Sequence, residues 1–176
     1  EFVIVEQFVS TCNTCDPWTS SNDAGVLLSD FRSWGNSGGF STVFDLGEMW
    51  TNRDFNGPTI GIAYLSSVCG FSKYHCLQDF SSNSNLLRVL TAHEIGHNFS
   101  ASHDPSGSNT IMAPSVNNTN QWSSQSKSEI NNFIDIIEDD PNCLVQCNIP
   151  PPPTADFSGN PTTICTGSEV DFTDES

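Results

Sequence analysis

Residues 93–104 read His-Glu-Ile-Gly-His-Asn-Phe-Ser-Ala-Ser-His-Asp, and this stretch constrains the chain more than any other. On a helix, His93 and His97 lie one turn apart on one face, so both imidazoles can reach a single metal ion. Glu94 sits beside them, where its carboxylate can take a proton from an attacking water. His103, six residues beyond His97, becomes a third nitrogen ligand if the helix ends in between. Three protein ligands and one open position is the arrangement of a catalytic zinc, whereas structural zinc sites are closed by four. A bare His-Glu-x-x-His arises by chance in many helices; His103 at this spacing and Met112 downstream make it specific. The pattern predicts a zinc-dependent peptide hydrolase, with Zn²⁺ on His93, His97 and His103 and Glu94 as general base and acid.

These residues, followed by Ile111-Met112-Ala113-Pro114, resemble the metzincin metalloproteases, and Asn98 and Asp104 resemble the adamalysin (reprolysin) branch. Segments 23–28 and 51–64, with Cys69, look like adamalysin segments in the expected order, so the resemblance covers about residues 1–145. It implies an α/β, zincin-like fold: a mixed, mostly parallel twisted sheet packed with helices, and a Met-turn beneath the zinc. Met112 is then an apolar support and not a ligand. Pro114, Ser115 and Val116 form a wall of the pocket for the side chain after the cut. Gly61, Ile62, Ala63 and Tyr64 form the upper rim, where an extended peptide adds as an antiparallel neighbour. Cys69 pairs with Cys143. Asp45 and Asn142 match two positions of a surface calcium site. The resemblance also implies a strand and a long helix ahead of residue 2, hence a piece of a longer protein. One departure stands out: Ser100 occupies a position where the family has Gly, and a left-handed backbone there costs Ser on the order of 1 kcal/mol.

Seven Cys in 176 residues, a net charge of −16 and only five Lys plus Arg point to an oxidising, extracellular setting. Such acidity argues against nucleic acid or anionic membrane as partner. No run of about 18 apolar residues spans a membrane, and no signal peptide precedes Phe2-Val-Ile-Val5. We expect a monomer acting on peptide or protein substrates. Beyond Cys69 and Cys143, Cys12 and Cys15 are close enough to pair locally, which leaves Cys76 with Cys147. Connectivity is not readable from spacing alone, and Cys12-Asn-Thr-Cys15 also has a zinc-ligand gap without a second such pair.

Along the chain, residues 2–9 read as a strand and 24–34 as a helix after turn residues Ser20–Asp23. Gly35–Gly39 reads as a loop. Thr42–Trp50 and Thr59–Leu65 read as strands, with a turn at Asn52–Pro58. A helix over 84–99, capped by Ser84 or Asn85, carries Leu86 and Leu90 on the face of the two His. Gly96 in that helix implies something packed closely against it. A last helix begins near Ser126, whose spacing to Glu129 has the form of a capping box, buries Ile130, Phe133, Ile134 and Ile137, and stops before Pro141.

Three segments result: a catalytic domain over 1–147, a stiff Pro-rich linker over 148–153, and a tail over 154–176. The tail resembles the opening strands of a PKD domain, a β-sandwich often attached to bacterial secreted enzymes, which implies a bacterial source. Three rivals are open. Glu129 or Glu138 serves as third ligand in another metal-peptidase class. A zinc-containing module binds peptides or proteins with weak turnover or none. A peptide-binding adhesin uses the tail.

Overall fold

Asp23 starts the first helix. Its side chain accepts a hydrogen bond from Val26 N at 3.0 Å, satisfying one of the amides that every helix start leaves unpaired. The computed structural model describes residues 2–11 and 15–144 together with two short strands, 157–160 and 171–174. The helix, α1, spans Ala24–Trp34, as its apolar spacing predicts, and buries Leu27, Leu28 and Phe31. It runs on into a wider π-helical turn, Gly35–Gly39, where a loop is expected. Gly35 lies against Tyr74, and a Cβ there would come within 2.6 Å of the phenol oxygen.

Three strands form the sheet: β1 (Gly47–Thr51), β2 (Gly61–Ala63) and β3 (Tyr74–Gln78), in the order β1-β3-β2. β1 runs parallel to β3 with Glu48 beside His75, and β2 runs antiparallel to β3 with Ile62 beside Cys76. Among the described residues the sheet is therefore evenly mixed rather than mostly parallel. The short link from β2 to β3 turns the chain back on itself, which only an antiparallel pair allows. No strand is expected over 74–78, yet β3 is the central one. Tyr74, His75, Cys76 and Leu77 are all buried, so there is no alternation to read.

The other strands are shorter than expected. β1 begins at Gly47, whose amide bonds Lys73 O at 2.7 Å; the preceding residues bend away, with the Lys73 ammonium on Phe44 O. Residues 2–9 join no sheet. They are apolar enough for a strand, but a ladder needs a sheet edge alongside. Phe2, Ile4 and Val9 instead lie 67, 84 and 63 % exposed. Side chains tether the segment: Glu6 accepts from Ser41 N and Thr42 N at 2.9 and 2.7 Å, and Phe8 packs on Trp18 and Trp34.

Helix α2 spans Ser84–Asn98, capped by Asn83 rather than Ser84 or Asn85: the Asn83 side chain accepts from Asn85 N. Helix α3 spans Ser124–Ile137. Its cap is Ser123, which accepts from Ser126 N at 2.9 Å, so the Ser126–Glu129 capping box does not form. Glu129 turns instead to Ser102. Ile130, Phe133, Ile134 and Ile137 pack as expected against Val68, Phe99 and Cys143.

Cys69 and Cys143 form a disulfide across 74 residues, fastening the end of α3 to the sheet side. Cys76 is not paired with Cys147. It is a buried free thiol, because it sits in the middle of β3 with Sγ 3.8 Å from Met49 Sδ. Cys15 is disulfide-bonded; Cys12, Cys147 and Cys165 lie outside the described residues. The chain divides into two compact units, Glu1–Val145 and Gln146–Ser176. In the second, β4 (Phe157–Asn160) pairs antiparallel with β5 (Asp171–Asp174). The Pro-rich linker lies outside the described residues.

Candidate metal centre

The C-terminal half of α2 carries the metal-binding pattern. Leu90 is buried one turn before His93 and Glu94, so the helix meets the sheet on that face. The helix closes with a Schellman pair of bonds: Ala101 N to Gly96 O at 2.8 Å and Ser100 N to His97 O at 2.9 Å. That motif needs a left-handed residue just past the end, and Ser100 supplies it at φ 79°. The chain then turns back, and the Asp104 amide bonds Met112 O at 2.8 Å, which sets His103 over the helix.

His93, His97 and His103 come together, their Nε2 atoms 3.1 Å from one another in all three pairs. Two of the rings have fixed tautomers. His93 Nδ1 faces Ile111 O and His97 Nδ1 faces Ala101 O, each at 2.7 Å. Carbonyl oxygens only accept, so each Nδ1 carries the proton and each Nε2 presents a bare lone pair. The 3.1 Å contact between those two nitrogens is therefore not a hydrogen bond. Lone pairs facing at this distance repel unless a cation lies between them. Zn–N bonds of 2.0–2.1 Å at tetrahedral angles separate ligand nitrogens by about 3.3 Å, so the donor set fits zinc. Burial pushes the His93 imidazole down to about 4 and lowers His97, keeping both neutral as ligands must be. Among the described residues this is the one cluster of three His, Cys, Asp or Glu side chains close enough to share an ion.

Glu94 is 3 % exposed, with one carboxyl oxygen against Gly61 of β2; its Oε2 has no hydrogen-bond partner among the described residues. Burial pushes its carboxyl up to about 8. Such a group is poised to hold and release a proton near neutral pH.

Met112 is fully buried beneath the helix. A Cβ on Gly96 would lie 2.6 Å from Met112 Sδ and 3.1 Å from the Trp122 ring, which accounts for the glycine. Gly61, Ile62 and Ala63 make up β2, at one end of the strand order. Tyr64 follows, its ring 5.0 Å from the Arg32 guanidinium. Pro114 and Ser115 are exposed and Val116 half-buried. Ser115 and Val116, with Ala113, Asn117 and Gly107–Asn109, line a depression of about 300 Å³. A larger one, about 490 Å³, lies between Trp50, Asp79 and the first half of α2, and no ligand of the triad lines it. Of the rival ligands, Glu129 is taken by Ser102 N and Oγ at 2.7 and 2.9 Å, and Glu138 is exposed beyond α3. Asp45 accepts from Cys69 N at its main-chain oxygen, at 2.9 Å, and its carboxylate faces the Lys73 charge, while Asn142 bonds Asp140, so calcium gains no support.

The sequence marks Asp104 only by family resemblance and gives it no role. Buried Asp104 accepts from Thr110 Oγ1 at 2.6 Å and Ser123 Oγ at 2.7 Å, joining the His103 loop, the Met112 turn and the start of α3. Its place beside a predicted ligand is the signal that could have found it.

Residues 3–138 match the sequence model described as metallo-peptidase family M12B, reprolysin-like. The chain is 33 % identical over 107 residues to snake venom metalloproteinase atroxlysin-1 of Bothrops atrox, covering 57 % of this chain and 53 % of that protein. It is 31 % identical over 93 residues to zinc metalloproteinase-disintegrin-like atrase-A of Naja atra, covering 53 % and 15 %. It thus spans about half the length of the first relative and less of the second. The matched stretch takes in the His triad, Glu94 and the Met112 turn, and the chain belongs to the reprolysin-like M12B metallopeptidases.

Proposed function

We propose that this chain is a secreted zinc endopeptidase that hydrolyses peptide bonds of extracellular proteins. The observation that carries the reading is the convergence of three Nε2 atoms, two with the proton fixed on the opposite nitrogen by a carbonyl. His93, His97 and His103 hold the ion. When bound, zinc supplies Lewis acidity towards water and the scissile carbonyl. Glu94 takes the proton of the attacking water and delivers it to the leaving amine, in a site whose burial already raises its proton affinity. β2 offers its outer edge to an extended peptide, so main-chain bonds position many sequences alike. Pro114, Ser115 and Val116 shape the pocket beyond the cut.

Extracellular action is supported by the disulfides, the acidity and venom relatives. No helix among the described residues is long and apolar enough to cross a membrane. The tail from 154 is read as the start of a PKD-like β-sandwich, with which an antiparallel pair is compatible; a bacterial source rests on that resemblance alone.

The test is cleavage of an unbiased peptide library by purified chain with and without a zinc chelator. Chelator-sensitive cuts that vanish in Glu94→Ala support the reading. One tightly held zinc per chain with no cuts would replace it with the zinc-containing binding module.

A further inference from the structure

One buried ionisable group takes no part in that chemistry. His75, in the middle of β3, has no exposed surface. Its Nδ1 lies 2.8 Å from Asn98 Oδ1, and its Nε2 lies 3.0 Å from Glu48 Oε2 on β1. The orientation of the Asn98 amide is set by its surroundings. Asn98 Nδ2 faces Tyr64 O at 2.9 Å, Tyr74 O at 3.2 Å and Ser67 Oγ at 2.9 Å. Two of those are carbonyls that only accept, so the nitrogen belongs on that side and the oxygen faces His75. His75 Nδ1 must then donate. Nε2 faces a carboxylate that also takes a bond from Trp50 Nε1 at 2.7 Å. Partial burial opposes charge on Glu48, yet the hydrogen bond and positive charge of His75 win and hold its carboxyl below the usual range. Both ring nitrogens are therefore engaged, Nδ1 by the Asn98 amide oxygen and Nε2 by the Glu48 carboxylate.

Asn98 is the last residue of α2, directly after His97. Its carbonyl also accepts from Ser67 N at 2.8 Å, and His97 O accepts from Ser66 N at 3.0 Å. The segment that follows rim strand β2 is thus stitched to the turn bearing the second His of the triad, and Asn98 is the central knot.

We propose that His75 is a positioning residue: anchored by Glu48 on one ring nitrogen, it locks the Asn98 amide with the other, so that the substrate rim and the metal-bearing helix keep one fixed separation. The role for substrate rests on the protease reading; the locking itself does not. With a neutral apolar side chain at 75, Asn98 Oδ1 loses its donor, and the amide can rotate away from Tyr64 O.

The experiment uses the zinc-loaded full chain. Imidazole ¹⁵N shifts should show Nδ1 of His75 carrying a proton; a bare Nδ1 overturns the proposal. In His75→Leu, exchange of the Ser66 and Ser67 amides and the Asn98 side-chain amide should speed up by about tenfold or more, with the α1 amides unchanged. Uniform acceleration across the chain, or none, overturns it. Glu48→Gln, at the sheet edge, should move the same amides in the same direction by less, and serves if His75→Leu does not fold. For a long peptide spanning the rim, KM should rise about tenfold in His75→Leu with kcat within about twofold, and a short peptide should show neither change. Equal losses on both peptides overturn it. If the unaltered chain cuts nothing, the protease reading fails, and the exchange and ¹⁵N measurements decide the locking alone.

Discussion

Ser66 Oγ and Ser100 Oγ lie 2.9 Å apart, and each residue has a left-handed backbone, at φ 53° and 79°. Ser100 stands where the Schellman turn asks for glycine, and Ser66 lies three residues beyond the end of β2. The hydroxyl pair offsets about half of the combined backbone cost, since one hydrogen bond contributes about 1 kcal/mol and each left-handed serine costs about as much.

An order of stabilities follows. Ser100→Ala keeps the strain and loses the bond, so it should destabilise by about 1 kcal/mol or more. Ser66→Ala likewise keeps its left-handed backbone and loses the same bond, so it should cost about as much. Ser100→Gly loses the bond but relieves the strain, and should be near neutral. Urea midpoints of the three variants check the ranking; a costly Ser100→Gly would show that the hydroxyl matters beyond the turn.

Replacing Glu94 separates metal binding from turnover. Glu94→Gln keeps shape and burial but cannot accept a proton. We expect zinc content unchanged and peptide cleavage reduced by about 10²- to 10⁴-fold. Metal analysis beside a fluorogenic peptide assay measures both, and retained cleavage would remove Glu94 from the mechanism.

The pH dependence of the metal-free chain is set by opposing shifts. Glu94, raised to about 8, binds more protons folded than unfolded, so its contribution is present at low pH and lost as pH rises through about 8. His93, lowered to about 4, acts oppositely: its contribution is present above about 6.5 and lost as pH falls towards about 4. Between about pH 6.5 and 8 the Glu94 contribution alone should lower metal-free stability by at most about 1.4 kcal/mol per unit, with that of His93 flat. Glu94→Gln should flatten that decline. At pH 7, zinc should also displace a proton from Glu94, which calorimetry in buffers of different ionisation enthalpy would count.

Loss of the Cys69–Cys143 bridge should cost about 4 kcal/mol in the chain-entropy model, given the 74-residue separation. Thermal unfolding of the Cys69→Ala/Cys143→Ala double variant measures it. Because α3 supports Ser102 through Glu129, zinc affinity should weaken as well.

What the sequence made legible was whatever depends on spacing along one element. His93, Glu94 and His97 share a helix face, and Ile130, Phe133, Ile134 and Ile137 mark the buried side of α3. Contacts between elements were legible only where the motif or the family resemblance supplied them, as for His103 and the Cys69–Cys143 bridge. Nothing local to Tyr74–Gln78 marks it as the central strand, and nothing near Glu129 says that it serves Ser102 rather than its own helix start. Cys76 misled for the same reason: pairing by remainder ignores that a thiol in a central strand has no room for a partner.

A strand at the end of a sheet also invites unwanted company. β2 is only three residues long, and a template so brief gives another copy of the chain few backbone bonds to hold it. Copies carrying −16 apiece repel one another well before they could dock. The brevity of β2 and the acidity of the chain together work against edge-to-edge pairing between copies.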